Sequence, residues 1–148
     1  MAAPLPDFLG LGTQKGGTTT LHRLLGQHPD VYLPACKEVH FFDQNYNAGE
    51  DWYRKHFQGA QPAQRCGDIT PFYLFHPDVP GRIHQHLPKA RLIVLLRDPV
   101  ERAISQVFHA KRLGFETLSV DKALAAEQDR LASGDPYSFQ KHSYLSRS

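Results

Sequence analysis

Lys15 stands in a run of small and hydroxylated residues, Gly12-Thr13-Gln14-Lys15-Gly16-Gly17-Thr18-Thr19-Thr20. Residues of these types in this order can capture an anion. Gly16 and Gly17 let a bulky group approach the backbone closely. Lys15 adds a full positive charge, and Thr18, Thr19 and Thr20 add hydroxyl donors. A second cation, Arg97, closes the apolar run Arg91-Leu92-Ile93-Val94-Leu95-Leu96. Its planar donor fork matches phosphate oxygens. The implied ligand is a phosphate or a chemical relative of phosphate.

Both groups need elements to hold them. Apolar Phe8-Leu9-Gly10-Leu11 precedes the glycine run, and Leu21, Leu24 and Leu25 follow it at helical spacing. That order reads as a strand over 7–12, a turn, and a helix over 18–27 whose first N–H groups and dipole face the turn. His28-Pro29-Asp30 stops the helix. Short strands are expected at 31–33 and 65–69, with a loop or strand end at 37–43 and a short helix over 51–57. A helix over 77–87 carries Val79, Ile83 and Leu87 on one face. The run 91–96 reads as a buried parallel strand. Pro99 then opens a helix reaching Leu113, ahead of Gly114, and a further helix is expected over 120–131. Strands alternating with helices imply an α/β fold with a parallel sheet. Ligands of such sheets bind beyond the carboxyl ends of the strands, where Lys15 and Arg97 both fall.

Composition narrows the classes. A chain of 148 residues allows one domain and no second full one. Seventeen basic against 15 acidic residues leave a net charge of +2, too little to argue for nucleic acid or a membrane surface. No apolar run reaches spanning length, and the N-terminus lacks a signal peptide's pattern, so the expected compartment is the cytoplasm. Cys36 and Cys66 stand alone, and the histidines are scattered, so neither a disulfide framework nor a metal site is expected.

The lysine loop is not a Walker A loop, in which lysine follows the last glycine. Nor does it carry the GxGxxG spacing of a dinucleotide fingerprint. It resembles the 5′-phosphosulfate loop of sulfotransferases that use 3′-phosphoadenosine 5′-phosphosulfate (PAPS). The Lys15-Gly16-Gly17-Thr18 form is most similar to the heparan sulfate and related carbohydrate branch and its bacterial relatives. Two further segments carry the same resemblance: Arg97-Asp98-Pro99 with Ser105 eight residues after the arginine, and Lys37-Glu38-Val39-His40-Phe41-Phe42-Asp43.

The resemblance implies a P-loop-NTPase-like three-layer fold with a central parallel sheet, incomplete at its C-terminus, so that 1–148 reads as the N-terminal part of a sulfotransferase domain. It implies that Lys15 to Thr20 hold the 5′-phosphosulfate while Arg97 and Ser105 hold the 3′-phosphate. Glu38 is then the general base on the acceptor, assisted by Lys15 and His40. An alcohol is a weak nucleophile and must lose its proton as the S–O bond forms. Asp43 is implied as a supporting polar group or a substrate contact, and Tyr73, in a Thr70-Pro71-Phe72-Tyr73 segment similar to the branch's S-P-x-Y, as a substrate contact. Tyr144 and Arg147 are weaker ones. The acceptor stays open: a glycan, a lipid-linked sugar, or a small alcohol or amine. Two other readings remain, a P-loop small-molecule kinase using ATP with Mg²⁺ and an inactive nucleotide-binding fragment serving as an interaction module.

Overall fold

The structure, a computed structural model, describes residues 3–133 and 142–146. Arg147 lies outside them. The described residues divide into two compact units. Residues up to Gly12 and Gly17–Leu95 form the first; Thr13–Gly16 and residues from Leu96 onward form the second.

The first unit is built on four parallel strands in the order β2-β3-β1-β4. These are β1 (Phe8–Gly12), β2 (Val31–Tyr32), β3 (Arg65–Ile69) and β4 (Arg91–Leu95). β1 is central. Its Leu9 pairs with Asp68 of β3 on one side and with Leu92 of β4 on the other. Three helices belong to this unit: α1 (Thr18–Gly26), α2 (Glu50–Lys55) and α3 (Val79–His86). α3 starts at Val79 rather than Pro77, with Pro80 in its first turn, where a missing N–H leaves no helical bond unmade.

The core of this unit is aromatic. Phe41, Phe42, Tyr53, Phe57 and Tyr73 are buried together with Leu9, Leu11, Val39, Cys66, Val79 and Leu87. The Phe41 and Tyr53 rings lie stacked, with centroids 4.3 Å apart and planes within 10°. Burying such a side chain contributes roughly 1.5–3 kcal/mol, so this cluster anchors the loop between β2 and α2 that carries Phe41 and Phe42.

β4 departs from the sequence expectation. Its apolar run is not buried: Leu92 is 55% and Val94 47% exposed. Among the described residues β4 is an edge strand whose only sheet partner is β1. The run of apolar residues reported a strand correctly, but not its cover.

The second unit holds α4 (Pro99–Arg112), α5 (Val120–Ala125) and α6 (Glu127–Ala132). The Asp98 side chain accepts from the Glu101 backbone N–H at 2.9 Å, a side-chain cap that starts α4 with Pro99 in its first turn. Ala103, Val107, Ala110, Ala123 and Tyr144 form its apolar core. The single helix expected over 120–131 is instead two, parted at Ala126. The break coincides with buried Glu127, whose carboxylate accepts the backbone N–H groups of Leu145 (2.6 Å) and Ser146 (2.9 Å). A second buried carboxylate, Glu116, takes Arg130 and, at 2.9 Å, the Tyr144 hydroxyl. Among the described residues no helix is long and apolar enough to cross a membrane.

Gly12 closes β1 where β4 presses on it. A Cβ there would sit 2.4 Å from the Leu95 carbonyl oxygen, and φ is +154°. The Leu95 backbone cannot yield without breaking the β1–β4 ladder. Gly12→Ala is therefore expected to lower unfolding free energy by about 2–3 kcal/mol, measured by urea denaturation; an unchanged midpoint would contradict this close approach.

Candidate functional site

The candidate residues fall into a cationic loop with α4 in the second unit, and an acidic loop in the first. Each is built differently.

In the second unit the Gly16 N–H donates to the Thr13 carbonyl at 2.9 Å, which tightens the turn and puts Lys15 at φ 69°. Such left-handed backbone is disfavoured for a residue with a Cβ by about 1–2 kcal/mol. Arg97 braces it: one guanidinium nitrogen donates to the Lys15 carbonyl at 3.2 Å, and the other reaches Glu101 at 3.3 Å. Buried Arg102 reaches the Gln14 carbonyl from α4. Ser105 lies on the same helix, two turns beyond Arg97.

This loop is short of negative charge. Burial and then the Arg112 and Arg97 cations lower the Lys15 ammonium below its ordinary value. Burial, Lys15 and Arg112 likewise lower His109. The buried Thr13 hydroxyl has no hydrogen-bond partner. An orphaned hydroxyl beside mutually repelling cations is a donor set that fits a phosphate or sulfate group. In the first unit, α1 opens from Gly17 at φ 97° with no side-chain cap. Nothing lies within 4 Å of the position a Cβ would take on Gly17, so that face of the backbone is open to a ligand.

In the first unit the residues Glu38, His40 and Asp43 meet. His40 Nδ1 lies 2.8 Å from Asp43, and Nε2 lies 3.3 Å from Glu38. The ring thus bridges two carboxylates. The Lys37 ammonium donates to the other Glu38 oxygen at 2.5 Å. Burial opposes the imidazolium, but the hydrogen bonds and charges of Asp43 and Glu38 outweigh it and raise His40 to about 9. Burial also opposes the Glu38 carboxylate, yet His40 and Lys37 outweigh it and hold the carboxyl at about 2. At neutral pH His40 is an imidazolium beside the Glu38 carboxylate.

His40 also has left-handed backbone, at φ 55°. Among the described non-glycine residues, only Lys15 and His40 have positive φ. The carbonyls of Val39, His40 and Phe42 are all engaged. Gln44 and Asn45 N–H groups donate to its carbonyl at 3.2 and 2.9 Å, and the Asn45 side-chain amide donates to Val39 and His40 carbonyls at 3.2 Å. Arg82 donates to the Phe42 carbonyl at 2.7 Å.

Two residues implied as substrate contacts are placed inside. The Asp43 side chain is fully covered, bonded to His40 and, at 2.8 Å, to the Gln44 N–H. Tyr73 is buried, and its hydroxyl is spent on Asp68 and on the Phe41 and Phe42 N–H groups. Tyr144 is buried as well. These side chains support their loops and present no surface to an acceptor. Sequence reading missed Lys37 as the clamp on Glu38 and Asp68 as the anchor of Tyr73. The one signal for Asp68 was an acid inside the short strand Arg65-Cys66-Gly67-Asp68-Ile69.

A parallel α/β sheet, a cationic lysine loop and a carboxylate-rich loop are thus what the described residues supply. The match is to the sulfotransferase domain, over residues 5–142, and the chain belongs to that family. It is 42% identical over 105 residues to the membrane-associated sulfotransferase kil1 of Dictyostelium discoideum, covering 69% of this chain and 22% of that protein. It is 37% identical over 128 residues to human heparan sulfate glucosamine 3-O-sulfotransferase 5, covering 79% and 37%. A solved sulfotransferase from Alicyclobacillus acidocaldarius superposes with a TM-score of 0.81 at 34% identity, covering 98% of this chain and 67% of that one. The chain thus spans between about a fifth and two fifths of the length of these two curated relatives.

The His40 cluster makes stability depend on pH. His40 binds its proton more tightly when folded, so its contribution is complete below about 6.5 and is lost as pH rises through about 9. Glu38 is shifted the other way: its contribution is present above about 4.5 and is lost as pH falls through about 2. Because both side chains are partly exposed, screening reduces the effect to the order of 1 kcal/mol. The melting temperature should then fall by about 2–4 °C over the alkaline window. His40→Gln should flatten that slope in calorimetric scans; an equal slope in the variant would show that another group titrates.

Proposed function

We propose that this chain transfers a sulfuryl group from PAPS to a hydroxyl of a glycan acceptor. The observation that carries the reading is the bridge of His40 between Glu38 and Asp43, on the loop whose sequence matches the acceptor-activating segment of the family. The cation-rich Lys15 turn supports the donor side.

When bound, PAPS supplies an electrophilic sulfuryl group on a phosphate leaving group. Lys15 to Thr20 would hold the 5′-phosphosulfate, and Arg97 and Ser105 the 3′-phosphate. Lys15 sets its charge against the negative charge that develops on the departing phosphate oxygen, as preorganised donors do at an oxyanion. Glu38 takes the acceptor's hydroxyl proton while the acceptor oxygen bonds to sulfur and the S–O bond to phosphate breaks. His40, held cationic by Asp43, orients Glu38 and keeps it ionised. The glycan assignment follows the heparan sulfate glucosamine 3-O-sulfotransferases among the relatives. The kinase reading fits less well, because Arg97 rather than a metal-binding acid ends the apolar run 91–96 and the relatives are sulfotransferases.

Titration calorimetry tests the donor side. 3′,5′-Adenosine diphosphate should bind more tightly than ATP with Mg²⁺, and Lys15→Ala should weaken it by about 10–100-fold. Equal binding of the two nucleotides would sink the PAPS reading. With radiolabelled PAPS and a heparan sulfate oligosaccharide, Glu38→Gln should cut turnover by about 10²–10⁴-fold and leave 3′,5′-adenosine diphosphate affinity unchanged. Turnover at the unsubstituted rate would remove Glu38 from the chemistry.

A further inference from the structure

Asp68 is a fully buried carboxylate that the proposed chemistry does not use. It sits near the carboxyl end of β3, paired with Leu9 of central β1. Three hydroxyls donate to it: Tyr53 at 2.8 Å and Tyr73 at 2.9 Å, both to one oxygen, and Thr70 at 2.8 Å to the other. Burial pushes its carboxyl up on balance, although these three donors, with nearby His40, pull the other way.

The Tyr73 hydroxyl does more than satisfy Asp68. It accepts the Phe41 N–H at 2.8 Å and the Phe42 N–H at 3.4 Å. A phenol has one proton to donate and two lone pairs. Asp68 takes the phenolic proton, which leaves both lone pairs of the hydroxyl to the two N–H groups. Those N–H groups directly follow His40, whose backbone is left-handed. Ring packing of Phe41 on Tyr53 holds the side chain; it does not decide how the peptide between His40 and Phe41 is turned. The hydroxyl does decide it, since two buried N–H groups without an acceptor would cost about 1–3 kcal/mol each.

We infer that Asp68, acting through the Tyr73 hydroxyl, is a positioning residue that fixes the peptides after His40 and so keeps the His40 ring between Glu38 and Asp43. This inference builds on the role proposed for Glu38 and His40, but its test needs no turnover.

Tyr53 supplies the control. It is as buried as Tyr73 and donates to the same Asp68 oxygen, yet no hydrogen bond links its hydroxyl to the loop. The acids and bases facing His40 are Glu38, Asp43, Lys37 beyond Glu38, and Asp68 across the core. The experiment is an NMR titration of His40 in the full chain and in Tyr73→Phe and Tyr53→Phe. In the unsubstituted chain and in Tyr53→Phe, His40 should titrate near 9, and in Tyr73→Phe it should move toward 6.5. That is a loss of about tenfold or more in proton affinity. Equal movement in the two variants, or none in Tyr73→Phe, would overturn the inference. Should Tyr73→Phe not fold, hydrogen exchange in the unsubstituted chain decides. A Phe41 amide protected by about 100-fold or more supports the bolt, and exchange at the rate of a free peptide overturns it. Failed sulfuryl transfer alongside a correct His40 titration would count against the proposed function alone.

Discussion

Two residues with side chains are held in backbone conformations that side chains resist, and the candidate chemistry is arranged around holding them there. Lys15 and His40 each lose about 1–2 kcal/mol by being left-handed. A strained residue persists only where its surroundings over-determine it. At Lys15 the surroundings are the Gly16–Thr13 turn bond and the Arg97 guanidinium on the Lys15 carbonyl. At His40 they are two N–H groups and an amide on its carbonyl, and the Tyr73 hydroxyl on the peptides that follow. The aromatic cluster of the first unit is then not only a source of stability. Phe41 and Phe42 are driven into the core, and that fixes the loop whose polar members face the other way.

The two loops treat charge oppositely. The Lys15 turn gathers cations that oppose one another, and burial makes each more costly. Such an arrangement is stabilised when an anion arrives. The His40 loop is self-compensating. Its one imidazolium is balanced by acids on both sides, and its Glu38 carboxylate by a lysine as well. A site balanced in this way gains little from binding a further ion and is better suited to a neutral hydroxyl.

Much of the fold was readable because its signals are local. Glycine at 12 and 17, proline at 29 and 99, and apolar runs at 8–11 and 91–96 mark turns, helix ends and strands by covalent geometry alone. Strand Arg65–Ile69 matches its expected bounds residue for residue. What failed was information carried by neighbours. An apolar run such as Leu92–Leu96 does not say whether another layer covers it, and at the sheet edge nothing among the described residues does. The helix over 120–131 parts at Ala126, a residue with high helix propensity, where Glu127 turns inward to backbone groups 18 and 19 residues away. Site residues followed the same rule. Glu38, His40 and Asp43 were legible through the family resemblance of one continuous segment, whereas the burial of Tyr73 and its link to Asp68 depend on how β3 meets a loop more than 25 residues earlier.

The low value of Glu38, about 2, bears on how it can act as a base. A carboxylate held there is ionised at any physiological pH but accepts a proton poorly, since two cations already occupy its oxygens. The two are not equivalent. His40 is fixed by Asp43, whose side chain is fully covered, so its charge cannot leave without breaking the loop. Lys37 is the sequence neighbour of Glu38, on a flexible stem, and its side chain is 26% exposed. Surface ion pairs of this kind are weak and exchangeable. On the role proposed for Glu38, an arriving hydroxyl competes with Lys37 and not with His40, and displacing that ammonium would return basicity to the carboxylate at the moment a proton is to be taken. In the proposed role, ionisation is secured by His40, which Asp43 pins, and reactivity is restored by release of Lys37.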